Sequence, residues 1–175
     1  MKPFTAIACA ACLAIAAGVG TATFFFGGVF SVAASERDPA LVNWALVHVR
    51  EASITRHATD QPPMSLDDAS VVQGGAQAYA SLGCQSCHGG LGVKPARFSQ
   101  GLNPQPNLKA VIEDITPPEL FWVLKNGIKM TGMPSFGTGK DPVPDAELWS
   151  VTAFLKRVPS LSSDDLAKWT AAHHG

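Results

Sequence analysis

From Thr5 to Ala34 the chain runs without one charged residue, bracketed by Lys2 before it and by Glu36, Arg37 and Asp38 after it. A helix needs about 20 predominantly apolar residues to cross a bilayer, whereas the apolar part of an export signal spans about 7–15. The length predicts a membrane anchor over residues 1–35. The competing reading is a cleaved signal, since Val32-Ala33-Ala34 offers a small-residue cleavage site. Under either reading Lys2, on the short leading side, keeps that end in the cytoplasm and sends the remainder outward. The stretch also explains a composition that is 46% hydrophobic and only 15% charged, against about 25% charged in ordinary soluble domains. The remaining chain is long enough for one domain with its own core. With a net charge of −1 the chain carries no bulk basic character, so nothing points to a nucleic-acid partner.

The four cysteines fall as two C-x-x-C pairs of different character. Cys9 and Cys12 lie inside the apolar stretch with Leu13 after them, and read as small apolar helix residues. Cys84 and Cys87 are followed at once by His88, in the sequence CQSCH. In C-x-x-C-H the two thiols are spaced to add across the two vinyl groups of haem, and the histidine is delivered to the iron. A zinc site would need a second cysteine pair, and none lies beyond the apolar stretch. One covalent haem c is therefore expected on Cys84 and Cys87, with His88 as an axial ligand.

A low-spin electron carrier needs a second strong axial ligand, and Met130, Met133, His173 and His174 lie downstream. Met133 sits in TGMPSFG, where Gly132 and Pro134 define a loop able to hold a soft thioether against iron with little entropy to lose. Met130 lacks that setting. The pair His88 and Met133 is expected to hold the metal.

Residues 38–58 read as a moderately amphipathic helix with Leu41, Trp44, Ala45, Ala52 and Ile54 among charged residues. DQPPMS then ends it, so residues 36–64 form helix and linker and the main domain occupies 65–175. Ser65 and Asp68 resemble a capping signature for a helix over about 67–82 leading into CQSCH. Residues 89–108, rich in glycine and proline, read as loop. Thr116-Pro117-Pro118-Glu119 is a strong helix start, and the helix stops at Gly127. After a second loop, Asp145 opens a helix striped with Leu148, Val151, Thr152, Phe154 and Leu155 that ends before Pro159, and a short last helix is expected from Ser162/Ser163 towards His173. No strand pattern appears, so the fold class is all-α.

CQSCH, NPQPNL at 103–108 and NGIKMTGMPSFG at 126–137, followed by ELWSVTAFL, resemble the class I cytochromes c of the bacterial membrane-attached monohaem type. The resemblance covers about 70–160. It implies several helices around one haem, with His88 and Met133 on opposite faces, and a packing of first against last helix in which Gly75 and Tyr79 meet Val151 and Phe154. It also implies a proline carbonyl that accepts a hydrogen bond from the proximal histidine. Pro106 fits that role, and Pro104 competes for it.

His48 and His57 read as surface or packing residues, and His173 and His174 as exposed. Between Cys84 and Lys140 the basic residues Lys94, Arg97, Lys109, Lys125, Lys129 and Lys140 outnumber the acidic Glu113, Asp114 and Glu119, a pattern suited to steering towards an acidic partner face. The resulting expectation is an electron carrier without substrate chemistry, tethered to the inner membrane with its haem domain in the periplasm. Its partners would be a membrane dehydrogenase, a terminal oxidase or a cytochrome bc1-like complex. A fixed subunit of a larger oxidoreductase complex is the alternative. A catalytic or gas-binding haem with a vacant sixth position ranks last, because the TGMP loop argues against it.

Overall fold

The computed structural model describes residues 3–33, 35–90, 94–101 and 108–162, and all regular elements among them are helical. The chain divides into two units, Met1–Arg37 and Asp38–Gly175. The first contains α1, Pro3–Phe26, whose stretch Ile7–Phe26 is long and apolar enough to cross a membrane and includes no buried residue. Cys9 and Cys12 are exposed on it.

The second unit contains α2 (Ala40–His57), α3 (Ala69–Ser81), α4 (Cys84–His88), α5 (Leu108–Asp114), α6 (Pro117–Asn126) and α7 (Asp145–Arg157), with short 3-10 turns at Arg97–Gly101 and Val158–Ser160. Its most extensive helix pair is α3 on α7. A glycine makes that crossing possible: a Cβ at Gly75 would lie 1.8 Å from the Ser150 carbonyl oxygen and 2.9 Å from the Phe154 Cβ. Around this contact Leu148, Val151, Thr152 and Phe154 are almost wholly inaccessible, and the Tyr79 ring packs on Phe154 with centroids 5.5 Å apart. The expected meeting of first and last helix is thus present, with the Ser150 carbonyl as the nearest group to Gly75.

Two of the helices start on a side-chain cap. Asp68 caps α3 itself, its carboxylate accepting from the Ser70 N–H at 2.8 Å and the Ser70 hydroxyl at 2.7 Å. The helix consequently begins at Ala69, two residues later than expected, because the cap residue stays extended. At α6, Glu119 reaches back to accept from the Thr116 N–H at 3.0 Å and the Thr116 hydroxyl at 2.7 Å. Phe121 of α6 stacks on Trp149 of α7 at 4.1 Å, nearly coplanar.

Two features are additional to those legible in the sequence. The helix α5 occupies a stretch with no clear helical period, and it buries Ile112. Its C-terminal carbonyls are met from α7 by Lys156, whose ammonium donates to Ile112 O at 2.6 Å and Ile115 O at 2.9 Å. Second, α2 packs on α6: Thr55 donates to Glu119 at 2.6 Å, His57 stacks on Trp122 at 6.0 Å, and Ile54 is buried. The segment that reads as helix and linker therefore lies within the same compact unit as the later helices. The helix expected beyond Ser163 lies outside the described residues.

Candidate functional site

A helix of five residues, CQSCH, places its chemistry by periodicity: Cys84, Cys87 and His88 stand three and four positions apart and so share one face. Gly83 ahead of it adopts φ +75°, a left-handed turn that lets α3 pass directly into α4. Behind it, the Gly89 carbonyl accepts a buried hydrogen bond from the Tyr79 hydroxyl at 2.8 Å. This bond pins the residue after His88 to α3. Nothing in the spacing announced it, although a tyrosine on the buried stripe of α3 needed some partner for its hydroxyl. Burial pushes the Tyr79 phenol well above its ordinary range, so it remains a donor.

Cys84, Cys87, His88 and Met133 line one cavity of about 750 Å³, within the roughly 300–1,000 Å³ usual for cofactor and ligand sites. Its walls are mainly aliphatic, with Leu82, Leu120, Val123 and Leu124 among them. Burial pushes the Cys84 thiol up to about 11 and depresses His88, which favours the neutral imidazole, the form that donates a lone pair to a metal. His88 Nδ1 is buried without a hydrogen-bond partner among the described residues. Pro106, expected to accept from it, and its competitor Pro104 lie outside the described residues, as do His173 and His174.

The loop after α6 separates the two methionines. Met130 has φ +61° and is 96% exposed, whereas Met133 is half-buried against the core and lines the cavity. The Met133 position is held by backbone: Ile128 N–H donates to Met133 O at 3.2 Å, and Met133 N–H donates to the Thr131 hydroxyl at 3.1 Å. Beyond it the chain ties to the end of α6, with Phe136 N–H on Leu124 O at 3.1 Å, and Gly137 N–H at 2.9 Å and the Ser135 hydroxyl at 2.6 Å both on Lys125 O. Gly127, at φ +68°, admits this return, since a Cβ there would lie 2.8 Å from Met133 O and 2.7 Å from Pro134 C. The orphan carbonyls of a helix end thereby become the mounting of the loop.

Of the basic residues suited to docking, Lys125 is committed within the fold, paired with Asp145 at 2.7 Å. Lys94, Arg97, Lys129 and Lys140 are exposed. His48 and His57 each bond a backbone carbonyl four residues earlier on α2. The second half of α2 also reaches the cavity through Arg50, Glu51, Ile54 and Thr55, although its sequence sets it apart from the site.

The residues fit a covalently bound haem. Two thiols and an imidazole lie on one helical face, a thioether on the same cavity and an aliphatic lining around them, which is the donor set and enclosure of a large flat apolar group carrying a soft-tolerant metal. No cluster of three or more His, Cys, Asp or Glu that could hold a bare metal ion occurs among the described residues. Residues 70–155 match the family model described as Cytochrome C oxidase, cbb3-type, subunit III. No curated protein and no solved structure matches the chain significantly.

Proposed function

We propose that this chain is a c-type cytochrome with an electron-transfer domain, holding a single haem thioether-linked through Cys84 and Cys87 and ligated axially by His88 and Met133. When bound, the haem supplies a one-electron Fe(III)/Fe(II) couple. The chain's part is positional. Tyr79 and the Gly83 turn fix α4, burial keeps His88 in its ligating form, and Thr131, Gly127 and the α6 carbonyls hold the Met133 loop. A thioether ligand and an aliphatic enclosure both favour the reduced, less charged iron, and so a raised potential. The family's proline acceptor, Pro106, is assigned to the His88 Nδ1–H, and the buried, unpartnered Nδ1 supports a need for such an acceptor.

The observation that carries this reading is the meeting of CQSCH and Met133 on one cavity while Met130 faces solvent. Its test is Met133→Ala. The expected result is loss of the near-infrared Met–iron charge-transfer band and new binding of external ligands, with Met130→Ala unchanged; a band that survives in Met133→Ala removes the assignment. Haem content per chain, measured as pyridine haemochrome, checks the count of one.

With α1 as its tether, the protein would shuttle electrons at the periplasmic face of an inner membrane between dehydrogenase, bc1-like and terminal oxidase partners, gaining effective concentration near them. The description of the matching family, an oxidase subunit, favours a second reading, a fixed cytochrome subunit of such a complex. Purification in mild detergent separates the two: a stoichiometric complex favours the subunit, and a monohaem protein alone favours the shuttle.

A further inference from the structure

The part of α2 that reaches the cavity lies outside the stretch matched by the family model, and it brings the cavity a permanent cation. Among the described lining residues Arg50 is the one arginine or lysine, against three carboxylates: Glu51 on its own helix, Asp114 at the end of α5 and Glu119 at the start of α6. The guanidinium is only loosely engaged by protein. Its pairing with Glu51 spans 3.9 Å, and the Glu51 side chain is 62% exposed while that of Arg50 is 35% exposed. Glu119, by contrast, already accepts from Thr55 and twice from Thr116. The helix that carries Arg50 is fixed one turn further on by buried Ile54 and by the Thr55–Glu119 bond.

Haem brings two carboxylates of its own on its propionate arms. Added to a lining that is already net acidic, they require a cation, and a planar fork with spare donors suits a carboxylate best. We propose that Arg50 anchors a haem propionate, making α2 a wall of the cofactor site and a determinant of its potential. This rests on the reading of the cavity as the haem site. A positive charge beside the propionate opposes oxidation of the iron and keeps the carboxyl ionised. The other titratable groups on the lining are Glu51, Asp114 and Glu119, with Tyr79, Cys84, Cys87 and His88.

The test uses the full-length, haem-loaded protein in detergent, titrated potentiometrically between mildly acidic and mildly alkaline pH. Arg50→Gln is expected to lower the midpoint potential and to make it more strongly pH-dependent, because the propionate loses its partner and takes up a proton within that range. Arg56→Gln removes the same charge from an exposed position of the same helix that does not line the cavity, and should match wild type. The proposal is overturned if Arg50→Gln leaves midpoint and pH profile unchanged, or if Arg56→Gln shifts them equally. Should Arg50→Gln not accumulate, redox-induced infrared difference spectra of Arg50→Lys, with haem labelled by 13C in the propionates, decide. Displaced carboxylate bands support the pairing and coincident bands overturn it. A wild type without bound haem would sink the reading of the cavity, whereas a normally loaded wild type with an indifferent Arg50→Gln sinks this proposal alone.

Discussion

Two adjacent glycines on α3 should respond to the same substitution with opposite sign. At Gly74 an added methyl group would meet nothing within 4 Å, so Gly74→Ala only exchanges a flexible helix residue for the best helix former. A gain of about 0.5–1 kcal/mol is expected. At Gly75 the same group would sit 1.8 Å from the Ser150 carbonyl oxygen, where ordinary contact begins at 3.4 Å. That oxygen belongs to the backbone of α7, so α3 and α7 must separate, and Val151, Phe154 and Tyr79 lose packing with them. Overpacking of this kind costs about 3 kcal/mol at the upper end of its usual range, and the helix gain of about 1 kcal/mol offsets part of it. The net expectation for Gly75→Ala is a loss of about 2 kcal/mol, or a fall of about 6–8 °C in Tm for a domain of this size. Thermal unfolding of the full chain in detergent, followed by circular dichroism at 222 nm, measures both variants. A Gly75→Ala protein as stable as wild type would refute the argument that this crossing is set by backbone contact.

Tyr79→Phe keeps the ring against Phe154 but strands the buried Gly89 carbonyl; a loss of about 1–3 kcal/mol in denaturant unfolding is expected, and no loss would mean that the bond does not hold α4 in place. Lys156→Met removes the donor that serves both Ile112 O and Ile115 O and should cost about 1–3 kcal/mol, with amide exchange accelerated in α5 before the rest of the domain. The Thr55 hydroxyl foremost, then the Thr116 N–H and hydroxyl, hold the Glu119 carboxyl below its ordinary value of 4.5. The folded chain therefore binds this proton less readily than the unfolded one, so the contribution is complete above about pH 4.5 and is lost as pH falls through the lower folded value. Glu119→Gln should flatten the acid limb of the stability profile, and an unchanged limb would remove Glu119 from the account.

Much of the domain was readable because its signals are local. Thr116-Pro117-Pro118-Glu119 carries a start and a cap in four residues, CQSCH carries its spacing in five, and Asp145–Arg157 repeats its apolar stripe over three turns. The helix α5 is hard to read because seven residues give too few turns for a period, and its ends are completed by Lys156, far away in sequence. The partnership of α2 with α6 is hidden for a similar reason. It depends on a Thr55–Glu119 bond and a His57–Trp122 stack between residues whose types carry no pairing rule, while Leu41 and Trp44, the largest apolar residues of the pattern at the start of α2, are exposed. Gly75 and Gly127 were legible as glycines in the right places, but only the structure shows which backbone each one admits.

The contact at Gly75 also dictates an order of events. It joins the first and last long helices of the matched stretch, so the walls of the cavity cannot close until the chain has been delivered as far as Arg157. Up to that moment CQSCH is covalently continuous with α3 but has no lid, and a bulky planar group can approach its thiols from the side that α7 later helps to enclose. Long-range closure of this kind is slow relative to helix formation. The helix crossing that Gly75 permits therefore also waits for the last of the described long helices to be made.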